Sequence, residues 1–299
     1  MKKIVFLLPI LALTLVACED VIDLDTETGP AQLVVDGWIT NQTGPQTIRL
    51  TQTAGYFDNA PAKPVLGATV VVTDEAGTKY EFKDLKSNGQ YAWTPFSPTN
   101  PLGHEGGEYT LSVKTSGEDY RATTHLYPVP RIDSLTYFFE KPPFVTDGDP
   151  KDGYQAEFFA RDLPGEGNCY WIKVFKNGKY YAKTNDIVLA YDAAFNPGSS
   201  SDGLLFILPI RRSITPELWQ ERDTVRIELH AIPKEAFFFL QQVRLESSNQ
   251  GLFATPPSNI ISNVVNQNSG GRKALGFFGG SLISGFQTVI DPKKARPKP

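Results

Sequence analysis

Three histidines are the side chains in this 299-residue sequence best suited to acid–base catalysis near neutral pH or to metal binding. His104, His125 and His230 lie in different segments and show no metal-ligand spacing such as H-E-x-x-H. His230 continues the alternating segment 225–229 on its polar side, so we predict a solvated strand residue. The sequence therefore predicts neither a catalytic histidine nor a metal site.

One cysteine and two glycine-flanked serine segments are the remaining candidates for a nucleophile. Cys169 precedes Tyr170 in a predicted strand, where a small buried hydrophobic side chain is the default, and a reactive thiol would need a positioned histidine. The segments 198–203 and 279–281 do not match G-x-S-x-G, and we predict turns or mobile loops there. We therefore predict that the protein is not an enzyme and has no catalytic residue and no cofactor.

The acidic segment 147–152 matches a calcium-binding loop only in part. Lys151 stands at the fifth position, where an oxygen ligand belongs, and Phe158 stands at the twelfth position, where glutamate belongs. We predict a solvated acidic turn at this segment.

Aromatic side chains could form either a core or a platform on which sugars stack. The sequence leaves both readings open for these tryptophans and tyrosines: Trp38, Trp93, Trp171, Trp219, Tyr56, Tyr180, Tyr181 and Tyr191.

The second cysteine, Cys18, has the sequence context of a lipid attachment site. Two lysines precede an apolar segment, 4–17, which is too short to cross a hydrocarbon core of roughly 30 Å. Leu15-Val16-Ala17-Cys18 resembles the lipobox of bacterial lipoproteins, whose cysteine carries diacylglycerol. We predict a signal peptide over 1–17 and a membrane anchor of acyl chains, palmitate among them, on Cys18. An ordinary secretory signal is the alternative.

An acidic tether is predicted over residues 18–30. Glu19 and Asp20 resemble the signal that exports lipoproteins of Bacteroidota-type bacteria to the cell surface, which predicts an outer-membrane protein facing outward. In enterobacteria, the same residues would instead indicate retention at the inner membrane. Loss of the two N-terminal lysines leaves 27 basic and 33 acidic residues, a net charge of −6, which argues against nucleic acid as a partner.

Short β-branched and aromatic runs separated by turn residues predict a mainly β fold. Seven runs between residues 33 and 123 predict a β-sandwich domain over 31–127. Tyr127-Pro128-Val129-Pro130 predicts a domain boundary, because both prolines stiffen the chain. Beyond it we predict a β-rich domain over 131–291, with strands at 134–139, 155–160, 170–175, 204–208 and 225–230 and closing strands at 274–279 and 286–290.

One helix is predicted from about residue 233 to 247. Pro233 suits a first helical turn, and Ala236, Leu240 and Val243 recur at helical spacing. We interpret it as a buried structural helix, with a partner-binding helix as the alternative. The basic, proline-containing tail 292–299 is predicted to be disordered.

Two resemblances to known families follow from these segments. The cadence Gly67-Ala68-x-Val70-x-Val72-x-Asp74 resembles carboxypeptidase-regulatory and transthyretin-like sandwiches, which concerns architecture alone. The chain also resembles the family called domain of unknown function 4249. The matching segments are 18–20, 33–40, 64–70, 130–135, 251–260 and 274–278.

The second resemblance implies a surface lipoprotein, and the family is often associated with TonB-dependent outer-membrane receptors. We therefore expect a non-enzymatic accessory or binding protein that works with such a receptor in nutrient capture or uptake. A free-standing carbohydrate- or glycan-binding adhesin is the alternative. Asp133-Ser134-Leu135 and Asp223-Thr224-Val225 also resemble a short O-glycosylation signal of these bacteria, although three-residue matches arise often by chance.

Overall fold

A computed structural model describes residues 29–55, 58, 60–97, 99–144, 148, 150–249, 258 and 260–299. The signal peptide, Cys18 and the tether up to residue 28 lie outside this part, as do Tyr56, Asp147 and Asp149. In the described part, the strands are β1 (Leu33–Thr40), β2 (Gln46–Gln52), β3 (Thr69–Asp74), β4 (Lys79–Phe82), β5 (Gln90–Trp93), β6 (Glu108–Thr115), β7 (Glu118–His125), β8 (Ile132–Glu140), β9 (Gly153–Ala160), β10 (Cys169–Lys176), β11 (Lys179–Tyr180), β12 (Val188–Tyr191), β13 (Thr224–Ile232), β14 (Val265–Asn266) and β15 (Ala274–Val289). The helices are α1 (Leu208–Arg212), α2 (Lys234–Ser248) and the short 3-10 helices Thr184–Asp186 and Pro292–Lys294.

Two sheets pack face to face over a shared core. The long sheet has eight strands in the order β11-β10-β13-β15-β1-β2-β5 with β12 beside β10, and the short sheet has the order β14-β7-β6-β3-β4. Alternate residues of each strand point to one side of a sheet, which sends Val35 and Ile48 of the long sheet toward Val72 and Leu111 of the short sheet. The predicted mainly β fold is confirmed, and the N-terminal strands form a β-sandwich.

Strand β15 connects the beginning and the end of the chain. Residues 274–281 pair in parallel with β1, and residues 282–289 pair antiparallel with β13. The closing strands predicted at 274–279 and 286–290 are therefore one strand, whose first half belongs to the sandwich. The domain boundary at 127–130 stays a prediction, and sheet pairing continues across it through β15.

The long sheet is covered on both faces beyond the sandwich. On one side, Val225, Ile227 and Leu229 of β13 pack in a core with the β8–β9 hairpin, as their alternation predicts. On the other side, helix α2 packs Phe237 and Leu240 against the sheet. The predicted helix is confirmed at Lys234–Ser248, and its packing matches the structural interpretation.

Three predicted elements are wrong. Residues 204–208 do not form a strand: Leu205 makes a single isolated bridge, and helix α1 begins at Leu208 with Pro209 in its first turn. Gly279-Gly280-Ser281 is not a turn but lies within β15, where a side chain on Gly279 would collide with the Trp38 ring. The tail 292–299 is not disordered: Arg296 N–H donates to the Tyr137 carbonyl at 2.9 Å.

Candidate functional site: a cleft beside the linker

A cleft of about 670 Å³ lies where the linker passes from the sandwich to the second part of the chain. Tyr127 and Pro128 of the linker form one part of its wall, and the start of α2 contributes Lys234 and Glu235. The loops 166–168 and 198–200 complete the wall. The volume falls in the range of about 300–1,000 Å³ that is usual for small-molecule sites, which often lie at such junctions.

Three aspartates hold the two loops of the cleft in place. Asp192 Oδ1 accepts hydrogen bonds from the Gly167 and Asn168 N–H groups at 2.8 and 3.0 Å. Asp162 accepts from the Tyr170 hydroxyl at 2.6 Å and from the Gly203 N–H at 3.0 Å. Asp202 Oδ1 accepts from the Gly165 N–H at 2.8 Å. Together these bonds connect the loops to each other and to the ends of strands β9 and β12.

The same aspartates are the group in the described part that could hold a metal ion. Ligand atoms of Asp162, Asp192 and Asp202 all lie within 4.8 Å of one another. Burial, the largest influence, raises the pKa of Asp162. Because these carboxylates accept hydrogen bonds from the loops, their positions are accounted for by loop anchoring. The sequence analysis missed this cluster since no motif links three aspartates spread over forty residues.

The cleft is polar and carries more negative than positive charge. Glu166, Asp192 and Glu235 contribute carboxylates, and Lys234 contributes the ammonium group. Lys234 Nζ lies 5.5 Å from the centre of the Tyr191 ring. Such a lining suits a neutral ligand with several hydroxyl groups, or a cationic one.

Cys169 lies at the cleft without the properties of a nucleophile. Its side chain is buried, as predicted, and burial raises the pKa of the thiol to about 12. The Sγ atom lies 3.5 Å from the Gly167 carbonyl oxygen, its hydrogen-bond acceptor. The thiol is therefore protonated at neutral pH.

A family comparison covers most of the chain. The family model described as "Domain of unknown function (DUF4249)" matches residues 19–285. The chain belongs to the DUF4249 family. No curated protein matches the chain. The resemblance found in the sequence is thus confirmed, and the family description itself assigns no activity.

The three histidines of this DUF4249 protein do not come together. His104 Nε2 pairs with Glu75 Oε1 at 3.0 Å before β6, and His125 at the end of β7 packs against the Tyr127 ring. The prediction that His230 is solvated is wrong: it is 3 % exposed. Its strand is covered on both faces from Leu229 onward, which the alternation of one strand could not reveal.

His230 lies at the centre of a buried hydrogen-bonded chain. Its Nε2 lies 3.2 Å from Glu228 Oε2, and its Nδ1 lies 3.0 Å from Ser281 Oγ. The order serine, histidine, carboxylate is that of a hydrolytic triad. However, Ser281 is 0 % exposed, so no substrate can reach its hydroxyl in this structure. These three side chains form a packed polar network that joins β13 to β15.

The aromatic side chains named in the sequence divide between core and cavity. Trp171 and Trp219 are buried, and Trp38 and Trp93 are half-buried, so none of the four tryptophans stands exposed on a sheet. Tyr191 is buried in the first cleft. Tyr180 and Tyr181 instead line a second cavity of about 780 Å³ together with Asn177, Asp186 and Glu217.

In the part of the DUF4249 chain that the structure describes, no helix is long and apolar enough to cross a bilayer. The two O-glycosylation candidates lie at the start of β8 and of β13, and their modification stays a prediction.

Proposed function

We propose that the protein is a lipid-anchored outer-membrane lipoprotein of the cell surface that binds a polar ligand in the linker cleft and acts with a TonB-dependent receptor. The cleft is the observation that supports this best, because it is of small-molecule size, polar and held open by anchored loops. The protein acts without catalysis in this proposal. The buried Ser281 hydroxyl and the protonated Cys169 thiol agree with that assignment.

A surface for the receptor lies next to the cleft. Exposed apolar side chains flank the cleft-lining residues 198–200 in the same segment: Phe195, Leu204, Ile207 and Leu208. Several exposed apolar side chains on one segment make it a candidate for a protein contact. A receptor bound to this segment would therefore lie beside the ligand.

The experiment that tests the proposal is purification of the tagged, lipidated full chain from its native outer membrane in mild detergent, with mass spectrometry of what accompanies it. We expect a TonB-dependent receptor in stoichiometric amount. Recovery of the chain alone, with the receptor present in the extract but unbound, would contradict the accessory role.

The anchor gives a direct prediction. Substitution of Cys18→Ala removes the sulfur that accepts diacylglycerol, so we expect the chain to lose its acyl chains and leave the membrane fraction. Each buried methylene contributes about 0.8 kcal/mol to attachment, and the chains together make it stable. Fractionation and intact mass would show the change. Membrane retention without acyl mass would point to another mode of attachment.

The apolar segment beside the cleft gives a second prediction. The double substitution Phe195→Ser and Leu204→Ser should reduce the recovered receptor by about tenfold, because central apolar contacts dominate interface energies. Leu85→Ser is the matched control, since Leu85 is 87 % exposed in the turn between β4 and β5. Equal losses in both variants, or no loss in the double variant, would place the receptor contact elsewhere.

The glycan-binding adhesin remains the second candidate because of the Tyr180–Tyr181 cavity. Aromatic rings and polar groups meet there, a combination that suits sugar stacking and hydroxyl recognition. A glycan array with the full chain separates the two functions. Specific glycan binding by a chain that brings no receptor would favour the adhesin.

A further inference from the structure

A buried glutamate of the β8–β9 hairpin is contacted by three arginine side chains from other parts of the chain. Glu157 of β9 is 2 % exposed. Arg211 Nη2 lies 3.1 Å from its Oε1, and Arg212 Nε lies 3.5 Å from its Oε2. Arg296, from the tail, pairs with the same Oε2. Two elements far apart in sequence, α1 and the tail, therefore bring guanidinium groups to one carboxylate.

The positive charge of this group exceeds its negative charge. Three guanidinium groups face the one carboxylate of Glu157, and the next carboxylate, Glu140, is paired with its own cation, Lys298, at 2.8 Å. The charge of Arg212 also acts on Glu140. Together with Lys298, the three arginines make four cations for these two carboxylates, an excess of two positive charges among the described ion-pair partners. Charges held partly away from water are costly unless they are paired.

Aromatic rings fix the arginines in place. The guanidinium carbon of Arg211 lies 4.8 Å from the centre of the Phe159 ring. Those of Arg212 and Arg296 lie 5.2 and 5.3 Å from the centre of the Phe138 ring. Stacking of this kind orients the planar donors without using their N–H groups.

Buried polar atoms that make no hydrogen bond are concentrated at this point. In the described part, seven buried side-chain nitrogen and oxygen atoms make no hydrogen bond, and four of them lie here: Nε of Arg211, Arg212 and Arg296, and Oγ1 of Thr136. Thr136 stands directly opposite Glu157 across the hairpin. Buried donors are satisfied in most proteins, so four together indicate that the set is built for a further acceptor.

We propose that Arg211, Arg212, Arg296 and Thr136 form a binding site for an oxyanion, a phosphate or carboxylate group. The guanidinium fork matches the paired oxygens of these groups, and the excess positive charge provides the attraction. The Nε atoms are buried, but the side chains of Arg212 and Arg296 are 33 % and 32 % exposed, so an anion would approach the guanidinium groups from their exposed side. The site is separate from the linker cleft and does not depend on the function proposed for it.

Calorimetric titration of the full chain in mild detergent tests the site, with inorganic phosphate in one arm and acetate in the other at constant ionic strength. We expect saturable binding in at least one arm, and the arm that binds more tightly identifies the oxyanion. Substitution of Arg212→Gln should weaken binding by about tenfold, because it removes a charged donor pair. Arg131→Gln is the matched control, since Arg131 is exposed at the start of β8.

A third variant separates a binding role from a purely structural one. Glu157→Gln removes the negative charge beside the site, so anion binding should become tighter by about tenfold even though the fold becomes less stable. If Arg212→Gln does not fold, Thr136→Val and Arg212→Lys replace it, and both should weaken anion binding. The proposal is overturned if neither anion binds saturably, or if the site variants bind as Arg131→Gln does.

Discussion

Replacement of Gly276 by alanine is expected to destabilise the protein by at least about 4 kcal/mol, the range in which single substitutions abolish folding. Gly276 lies in β15 with φ +85°, a conformation that costs other residues energy. A Cβ atom there would stand 1.9 Å from the Val35 carbonyl oxygen of β1. Backbone must move to relieve this collision, in the strand pair that joins the two ends of the chain.

The same strand provides the control for this prediction. Gly285 has ordinary backbone geometry, and an added Cβ would meet only the Ile227 carbonyl oxygen at 3.7 Å. Gly285→Ala should therefore stay within about 1 kcal/mol of the parent protein. Thermal unfolding of the full chains, monitored by circular dichroism, gives the midpoint of each variant. We expect the midpoint of Gly276→Ala to be lower than that of the parent by roughly 10 °C or more. Similar midpoints for the two variants would show that the β1–β15 pairing tolerates a shift.

Patterns within one segment predicted the elements well. The alternation over 225–229 identified both the strand β13 and its core face, and the 3,4 spacing after Pro233 identified α2 within one residue. These features depend on neighbours along the chain, so the sequence displays them directly.

Features that depend on distant segments were not visible in the sequence. Gly279-Gly280 looked like a turn because glycine is common there, but its space is taken by the Trp38 ring from another strand. Arg296 looked disordered because its partner, Glu157, is more than a hundred residues away. Long-range ion pairs and close approaches leave no local pattern for the residues that make them.

The candidate site shows the same limit. Tyr127 and Pro128 marked the linker in the sequence, but the other walls of the cleft come from loops forty to seventy residues later and from the start of α2, about a hundred residues later. The aspartates that hold those loops are likewise scattered. Local sequence patterns therefore locate the junction but do not predict a cleft there.

Acid should destabilise the protein through His230. Burial first, and then the positive charge of Lys173, lower the pKa of its imidazole from 6.5 to about 4. In the unfolded chain the imidazole binds a proton as the pH falls through 6.5, whereas in the folded chain it stays neutral until about pH 4. Proton uptake favours the unfolded state, so the free energy of unfolding should fall by roughly 3 kcal/mol across this window.

Between pH 6.5 and 5, His230 contributes to the pH dependence of stability and its carboxylate partner, Glu228, does not. Burial, the largest influence, would raise the pKa of Glu228, but the hydrogen bond with His230 and the charges of Arg226 and Lys173 lower it below its ordinary 4.5. The contribution of Glu228 is therefore lost only at lower pH. Denaturant unfolding at pH 7 and pH 5 measures the contribution of His230. Between these pH values, the free energy of unfolding of His230→Gln should fall by roughly 2 kcal/mol less than that of the parent chain. The control His125→Gln removes the histidine that packs against the Tyr127 ring and should keep the parent difference. If His230→Gln lost as much stability as the parent between these pH values, the acid sensitivity would arise from other groups and the buried imidazole would not be its source.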